Sequence, residues 1–539
     1  MIALATPIYL LWISARIEAV GTKFRSGTMQ DTLQKLRSIA NDATLSPAQK
    51  ARYLSLEAEN MLAYPPLDAE TQSALDERVI CDMYEGHAPY KPRYVLPDYS
   101  VVLQNGSEYL ELPVPGTLDE AINTLMIAYH HVPSVTGMPV YIGRLDELLL
   151  PFCEGVSDET LYDKLRLFWR YLDRTLPDAF MHANIGPTDN RVARTILRID
   201  AELKQIAPNL TLLYDSQKSG DEILAMAGKN IAECCKPHIA NHPVHADAFD
   251  ERGYGIVSCY NVLPLAGGAS TLTRVNLKEV ARRSGGEEGF FAETLPRYLE
   301  LNFRLTQARI DYLFDESGFF DSFLVKEGWI DKERFTAMFG VFAMAEAVNV
   351  LQDKEGRKGR YGFDEVANAL GHRISAAIAE AIEDRPLDRV WRGRALLHSQ
   401  AGLSDDVEAT PGVRIPYGTE PDPVSHVQAL APHHQYYDAG ISEILTVDES
   451  VTNNPEALVQ LCKGAFASGF REFTVNVASN DLVRVTGYMV RLSDIRKLRD
   501  QQGSRTNTTV LGAEAAEMTG ILDRKPRVVG NELSPGYRQ

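Results

Sequence analysis

Cysteine is scarce in this chain: there are six in 539 residues, and no two form a CxxC pair. That excludes a disulfide scaffold and a zinc ribbon, and it fits a reducing cytoplasm. Basic charge is short as well. Lys and Arg number 55 against 73 Asp and Glu, a formal charge of −18, with no Lys/Arg run or basic helix. A nucleic-acid polymer is therefore excluded as a partner. Long hydrophobic runs are missing. The apolar start, residues 1–14 (MIALATPIYLLWIS), is too short to span a bilayer. It also lacks the basic flank and small-residue cleavage site of a signal peptide, so no membrane partner is expected. Internal repeats and low-complexity segments are absent. What remains is a globular composition, 45% hydrophobic, suited to a small-molecule substrate.

A second Met, at position 29, precedes the amphipathic run TLQKLRSIANDA. We read residues 1–28 as a dispensable extension and 29–539 as one domain, with its C-terminal functional region at about 445–539. Helical patterns dominate 29–80 and 117–235, and β-type runs are expected at Gly255–Ser258, Ser270–Asn276 and Glu472–Val477. Pro-rich polar breaks fall near 87–97 and 405–424. Strands alternating with helices point to an α/β architecture.

Near the C-terminus stands Arg484-Val485-Thr486-Gly487-Tyr488-Met489-Val490. A glycine between a strand-like run and an aromatic is ordinarily a turn or bulge. The segment nevertheless resembles the signature of pyruvate formate-lyase and anaerobic ribonucleotide reductase, Arg-Val-x-Gly-Tyr, with Thr486 where Ser, Ala or Cys is usual. Radical chemistry needs glycine there. Loss of one α-hydrogen leaves a radical shared with the flanking amides, and planarity at Cα is easiest without a side chain. Arg527-Val528-Val529-Gly530 repeats part of the pattern, but Asn531 follows and the polar tail is a poor shield from oxygen. We take Gly530 as a decoy.

A stored radical needs a thiol to carry it to substrate. Cys462 lies on the apolar face of PEALVQLCKGAF, while Cys81 and Cys153 have no distinguishing setting. These are packing cysteines. Cys234 and Cys235 form an adjacent pair in a helical run, like the catalytic pair of pyruvate formate-lyase. Cys259 differs, because it ends a strand and opens the Gly/Pro-shaped loop of GIVSCYNVLPLAGG. Asn276, Leu277 and Ala281 after it resemble the Asn-Leu-x-x-x-Ala segment of anaerobic reductases. Hydrogen abstraction needs a neutral thiol, so no basic neighbourhood is required. Cys259 is the thiyl candidate, ahead of Cys235.

Residues 335–349 (FTAMFGVFAMAEAVN) show a helical stripe of Phe335, Met338, Phe339 and Phe342, with Glu346 on the same stripe. A carboxyl there is paired, neutral or in use, which makes Glu346 an acid/base candidate. Its alternative is a Glu at the stripe's edge reaching solvent. Thr410-Pro-Gly-Val-Arg414 resembles an active-site loop of pyruvate-formate-lyase-type enzymes, though a simple turn explains it as well. His238, His242 and His245 have metal-like spacing, but Pro237 and Pro243 interrupt any helix carrying them. Hydrogen-bonded or solvated histidines are expected there and at His433–His434, and no bound metal is expected.

Together, GIVSCYNVLPLAGG, FLVKEG (323–328), LPDAFMHANIG (176–186), HAPYKPRYVLPDYS (87–100) and LVRVTGYMVRLSD resemble the YjjI family of glycyl-radical enzymes from about residue 40 onward. The resemblance implies a ten-stranded α/β barrel of two half-barrels, helices outside, with the cysteine and glycine loops inside. It implies a glycyl radical on Gly487 as the cofactor and a thiyl radical on Cys259. It also implies a separate radical S-adenosylmethionine activating enzyme that supplies the iron–sulfur cluster and S-adenosylmethionine. A homodimer is compatible with it. It names no substrate. Reductase-like chemistry on a nucleotide or nucleoside is one expectation, and a C–C or C–O lyase or eliminase is the other. A non-catalytic or radical-repair partner protein is the alternative of another class.

Overall fold

A computed structural model describes residues 29–59, 61–83, 90–133, 139–176, 180–399, 406, 408–441, 443–485 and 489–506. Two sheets organise them. One sheet orders β3 (Tyr141–Arg144), β4 (His182–Ile185), β5 (Asn209–Tyr214), β6 (His238–Asn241), β13 (Glu472–Val477) and β12 (Ile444–Val447). Its pairs are parallel except β6–β13. In the other, β9 (Gly267–Asn276), β10 (Phe335–Phe342) and β11 (Leu396–Ser399) run parallel. The short strands β1 (Ile80–Asp82) and β2 (Tyr94–Leu96) both pair antiparallel with β9, at its two ends, and so share one position. The sheets thus offer six and four strand positions.

The two sheets also meet. Ser399 bridges Ile441, which leads into β12, and β2 packs beside β3. Ten positions therefore run round a ring, as a barrel of two half-barrels requires.

The sequence pattern explains why the ring has a polar inside. β4 reads His-Ala-Asn-Ile, β5 Asn-Leu-Thr-Leu-Leu-Tyr and β13 Glu-Phe-Thr-Val-Asn-Val, and all of these residues are buried. Side chains alternate faces along a strand. Registers His182↔Asn209, Thr211↔His238 and Glu472↔Ala240 put His182, Asn209, Thr211, His238, Glu472 and Thr474 on one face. The apolar members, among them Leu210, Leu212, Ile239 and Phe473, take the other face and meet helices such as Arg191–Leu203 and Gly220–Cys234. A buried polar face is costly unless its groups bond one another or a ligand.

The second half-barrel is more apolar. β9 is crossed so closely that a Cβ at Gly268 would lie 2.0 Å from the Tyr94 carbonyl oxygen, so only glycine fits. Helix Leu295–Asp315 covers this sheet, with Thr306 bonded to Thr273 at 2.6 Å. Arg309 pairs with Asp82 at 2.6 Å and ties β1 to that helix.

One expectation fails here. Residues 335–349 are not one helix. Phe335–Phe342 is β10, buried at every position, and a helix starts only at Met344 after Ala343 turns the chain at φ +63°. A run that is apolar at all but Thr336 fits either period, so spacing could not separate a fully buried strand from a helix. The helical reading of 117–235 likewise missed β3, β4 and β5, while the expected β runs appear as β7 (Tyr254–Val257), β9 and β13. Among the described residues, no helix is long and apolar enough to cross a membrane.

Candidate active site

Cys259 sits at the tip of an antiparallel hairpin made by β7 and β8 (Asn261–Pro264). Val257 pairs with Asn261, leaving Ser258-Cys259-Tyr260 as the turn. Ser258 and Tyr260 both take positive φ, +51° and +62°. Neither is glycine, so each holds about 1–3 kcal/mol of strain that the surroundings must offset. The surroundings do so with paired bonds. The Asn184 amide on β4 exchanges two 2.8 Å hydrogen bonds with the Ile256 backbone. Asn261 Nδ2 donates to the Val257 carbonyl at 3.0 Å, and Val262 N donates to the Ala439 carbonyl at 3.0 Å. Gly440 (φ +110°) lies so close that a Cβ there would fall 2.1 Å from the Tyr260 carbonyl oxygen.

The hairpin lies against the polar inner face. The Tyr260 ring stacks on His238 with centroids 3.7 Å apart and meets His182 edge-on at 5.9 Å. Within the turn, Cys259 keeps 8% of its surface exposed while Ser258 and Tyr260 have none.

Gly487 lies outside the described residues, as does Gly530. The strands on either side of Gly487 are described. β14 (Leu482–Arg484) and β15 (Met489–Arg491) pair antiparallel, Arg484 with Met489. Arg484 is fully buried and reaches directly into the cysteine hairpin. Its Nη1 donates to the Tyr260 hydroxyl and to Asn209 Oδ1 (2.8 Å), and its Nε donates to the Cys235 carbonyl at 2.9 Å. Positions 484 and 260 therefore touch, although 224 residues separate them.

Cys235, the second thiyl candidate, ends helix Gly220–Cys234 in the left-handed conformation, φ +57°. Its carbonyl thereby faces Arg484, while its Sγ accepts from Val477 N at 3.2 Å and Asn480 Nδ2 at 3.4 Å. Cys234 donates to Asn230 Oδ1 at 2.9 Å, and burial pushes its pKa up. Cys81, Cys153 and Cys462 are buried, and the Cys153 thiol donates to the Leu149 carbonyl at 3.2 Å.

Behind Tyr260 lies a group that the sequence reading passed over. Glu472 is fully buried between His238 (Oε2–Nε2 3.5 Å) and His245 (3.8 Å), and its Oε1 accepts from Ile441 N at 2.8 Å. Desolvation raises the Glu472 pKa well above the usual carboxyl range and pushes both histidines well below theirs. Burial thus favours the neutral form of each of the three groups. His238 lies on β6 and His245 on the short helix His242–Ala248, with His242 bonded to the Tyr254 hydroxyl at 2.9 Å. These histidines are buried rather than solvated. The alternation Glu472-Phe-Thr-Val-Asn-Val477 is the signal that could have found this carboxyl.

Glu346 sits in the first turn of helix Met344–Lys354, not on a helical stripe. Its Oε1 accepts from Thr410 Oγ1 at 2.5 Å, and desolvation raises its pKa. Thr410 opens the loop whose Arg414 approaches Glu443 (Nε–Oε2 3.9 Å), and Glu443 lies 3.6 Å from His426. The Thr-Pro-Gly-Val-Arg loop therefore joins Glu346 to a second buried cluster. His433 bonds Tyr361 (3.0 Å) and Ser375 (2.8 Å), so it too is buried and satisfied. An open cleft of about 710 Å³ lined by Glu287, Phe291, Arg357 and Arg373 belongs to the outer helices, away from this chemistry. Among the described residues, no group of His, Cys, Asp or Glu is arranged to hold a metal ion.

Residues 45–527 match the family model described as glycyl radical enzyme YjjI-like. The chain is 58% identical over 507 residues to uncharacterized protein YjjI of Escherichia coli K12, covering 94% of this chain and 98% of that one. It is 38% identical over 513 residues to an uncharacterized protein of Haemophilus influenzae, covering 93% and 98%. Among solved structures, hydroxyproline dehydratase from Clostridioides difficile superposes with a TM-score of 0.66 at 12% identity, covering 93% of this chain and 89% of that chain. The B12-independent glycerol dehydratase of Clostridium butyricum gives 0.64 at 13%, covering 97% and 95%. The anaerobic ribonucleotide reductase of Thermotoga maritima gives 0.63 at 12%, covering 93% and 100%. At such identities these structures establish the shared barrel fold alone.

Proposed function

We propose, from the premise that this chain belongs to the YjjI-like family of glycyl radical enzymes, that its radical is stored on Gly487 and worked through Cys259. The observation that carries this reading is the Arg484–Tyr260 contact, which joins the strand leading to Gly487 to the residue beside Cys259. The glycyl radical takes a hydrogen atom from the Cys259 thiol. The thiyl radical so formed takes one from substrate, and the product radical takes it back from the thiol. No electron enters or leaves in that cycle. A radical S-adenosylmethionine activating enzyme removes the first glycine hydrogen, so the cofactor is a modified residue of this chain.

The substrate is a small polar molecule held within the polar ring. Two chemistries divide the field. Reduction of a nucleotide or nucleoside consumes two electrons from outside the cycle. Elimination across a C–O or C–C bond is redox-neutral but needs a proton for the leaving group. The burial of Glu472 beside Tyr260, where desolvation raises its pKa, favours elimination by supplying a candidate proton donor. Glu346 remains a candidate acid/base group from the other side of the ring, linked to it through the Thr410–Arg414 loop.

The test is anaerobic electron paramagnetic resonance on the chain co-produced with its activating enzyme, followed by air and mass spectrometry. A glycyl doublet, with oxygen releasing a C-terminal fragment that begins after Gly487, supports the assignment. A fragment beginning after Gly530 moves the radical there. Absence of signal beside a demonstrably active activating enzyme returns the chain to a non-catalytic or radical-repair role.

A further inference from the structure

Between Glu472 and the cysteine turn lies a row of groups that can each give and take a proton. The neighbouring strands β4, β5, β6 and β13 supply one member apiece. His182 Nε2 bonds Thr211 Oγ1 at 2.7 Å, and the same hydroxyl bonds His238 Nδ1 at 3.0 Å. His238 Nε2 then faces Glu472 Oε2 at 3.5 Å. At the far end, His182 Nδ1 faces the carbonyl of Ser258, in the turn that holds Cys259. All four side chains have zero exposure, and the Tyr260 ring packs against both imidazoles. A proton on this row moves from group to group rather than through bulk water.

The direction of the row follows from what each end can accept. A carbonyl only accepts, so the neutral His182 ring carries its proton on Nδ1 and leaves Nε2 bare. Thr211 has a single hydroxyl proton. It gives that proton to the bare nitrogen and therefore accepts from Nδ1–H of His238. His238 Nε2 is then bare as well and turned toward the carboxyl. Glu472 Oε1 accepts from Ile441 N at 2.8 Å, which leaves Oε2 to carry an acid proton. Burial favours the neutral form of all three titratable groups, as this order requires. A network kept only for stability closes its bonds. Here neither His238 Nε2 nor Glu472 Oε2 makes a hydrogen bond among the described residues, and the open link lies where the transfer begins. Catalytic hydrogen bonds are often long until substrate binds.

We propose that Glu472, His238, Thr211 and His182 form a proton relay directed from the carboxyl to the cysteine turn, with the Thr211 hydroxyl as the coupling between its two imidazoles. The use of the relay rests on the elimination reading above; its wiring does not. In the transfer, the Oε2–H bond of Glu472 breaks as a proton joins His238 Nε2. His238 Nδ1 passes its proton to Thr211 Oγ1, the hydroxyl proton goes to His182 Nε2, and His182 Nδ1 releases its own to the leaving group. The substrate loses one proton as its new double bond forms. That proton runs the same steps backwards and restores the carboxyl, so the relay consumes neither protons nor electrons. Thr211 and His238 act through their neighbours and are positioning residues.

The experiment is neutron diffraction from crystals of the perdeuterated full chain, not activated, which locates each deuteron directly. It needs neither radical nor substrate, so a failed radical assignment leaves its result standing, and its own failure leaves the radical assignment standing. Wild type should carry deuterium on Nδ1 of both His182 and His238, on Glu472 Oε2, and on Thr211 Oγ1 pointing at His182. Deuterium on Nε2 of either ring, or a Glu472 without deuterium, overturns the proposal. Thr211→Val keeps the shape and removes the hydroxyl. The His238 Nδ1–H then has no acceptor, and its deuteron should shift to Nε2, opposite the carboxyl. Thr211→Ser restores a hydroxyl and should restore the wild-type order. A Thr211→Val chain with the wild-type order shows that the hydroxyl does not couple the rings and also overturns the proposal. Should that variant not fold, the wild-type map decides alone.

Discussion

The support beneath the β14–β15 hairpin includes an ion pair sealed from water, and its removal should be felt throughout the site. Lys236 Nζ lies 2.5 Å from Asp200 Oδ1, with both side chains at zero exposure. Asp200 also accepts from Trp169 Nε1 (3.1 Å) and Asn230 Nδ2 (3.2 Å), so two helices and the start of β6 converge on one carboxylate. Lys236→Met removes the cation and leaves the carboxylate with neutral donors alone. Breaking a buried pair in this way costs about 3–5 kcal/mol, most of it the uncompensated charge. Replacing both partners removes that charge. The double variant Asp200→Asn, Lys236→Met should therefore regain at least about 2 kcal/mol over the single one. Urea denaturation midpoints at equal slope read the difference. A Lys236→Met chain within about 1 kcal/mol of wild type, or a double variant no better than the single one, refutes the reasoning.

Cys259→Ser should carry a full glycyl doublet after activation and yet turn over nothing, which a turnover assay on any accepted substrate will check; normal turnover names the wrong cysteine. Burial pushes His398 down to about 4 and His433 down to about 3. Their pKa values lie below the ordinary 6.5, so the unfolded chain binds the extra protons. Stability is then fully present above 6.5 and falls as pH drops from 6.5 toward 4, by about 3 kcal/mol for His398 alone. His398→Gln should flatten that part of a urea-midpoint profile, and an unchanged profile would contradict the assignment. Glu472 has the opposite sign. Its carboxyl keeps its proton above the ordinary 4.5, costing stability as pH rises past that value. Glu472→Gln should therefore unfold at higher urea than wild type at pH 8, while elimination activity falls if the carboxyl is the proton donor.

The cysteine hairpin was legible because Cys259 ends one strand-like run and precedes another, and β14–β15 because apolar runs flank Gly487 in the sequence. Their radical roles came from the resemblance, since only a glycine suits a backbone radical and only a thiol the relay. Glu346 was legible as a carboxyl but not as a position. Phe335–Phe342 is apolar at all but Thr336, so it matched a helical stripe as readily as the β10 strand buried on both faces. The polar ring was written more plainly than it was read. His182-Ala-Asn-Ile, Asn209-Leu-Thr-Leu and Glu472-Phe-Thr-Val alternate polar with apolar, as surface strands do, yet every residue is buried. In a single sequence, alternation means one wet face and one dry face; a barrel lumen satisfies it without solvent. What no local pattern could supply was the pairing of Arg484 with Tyr260, or of Glu472 with His238 and His245. Those contacts depend on β13 entering antiparallel beside β6, which brings residues 472 and 240 into register. That one strand reversal sets the carboxyl beside the histidines and leads the chain on to β14, so the acid and the radical hairpin reach the cysteine loop by the same topological step.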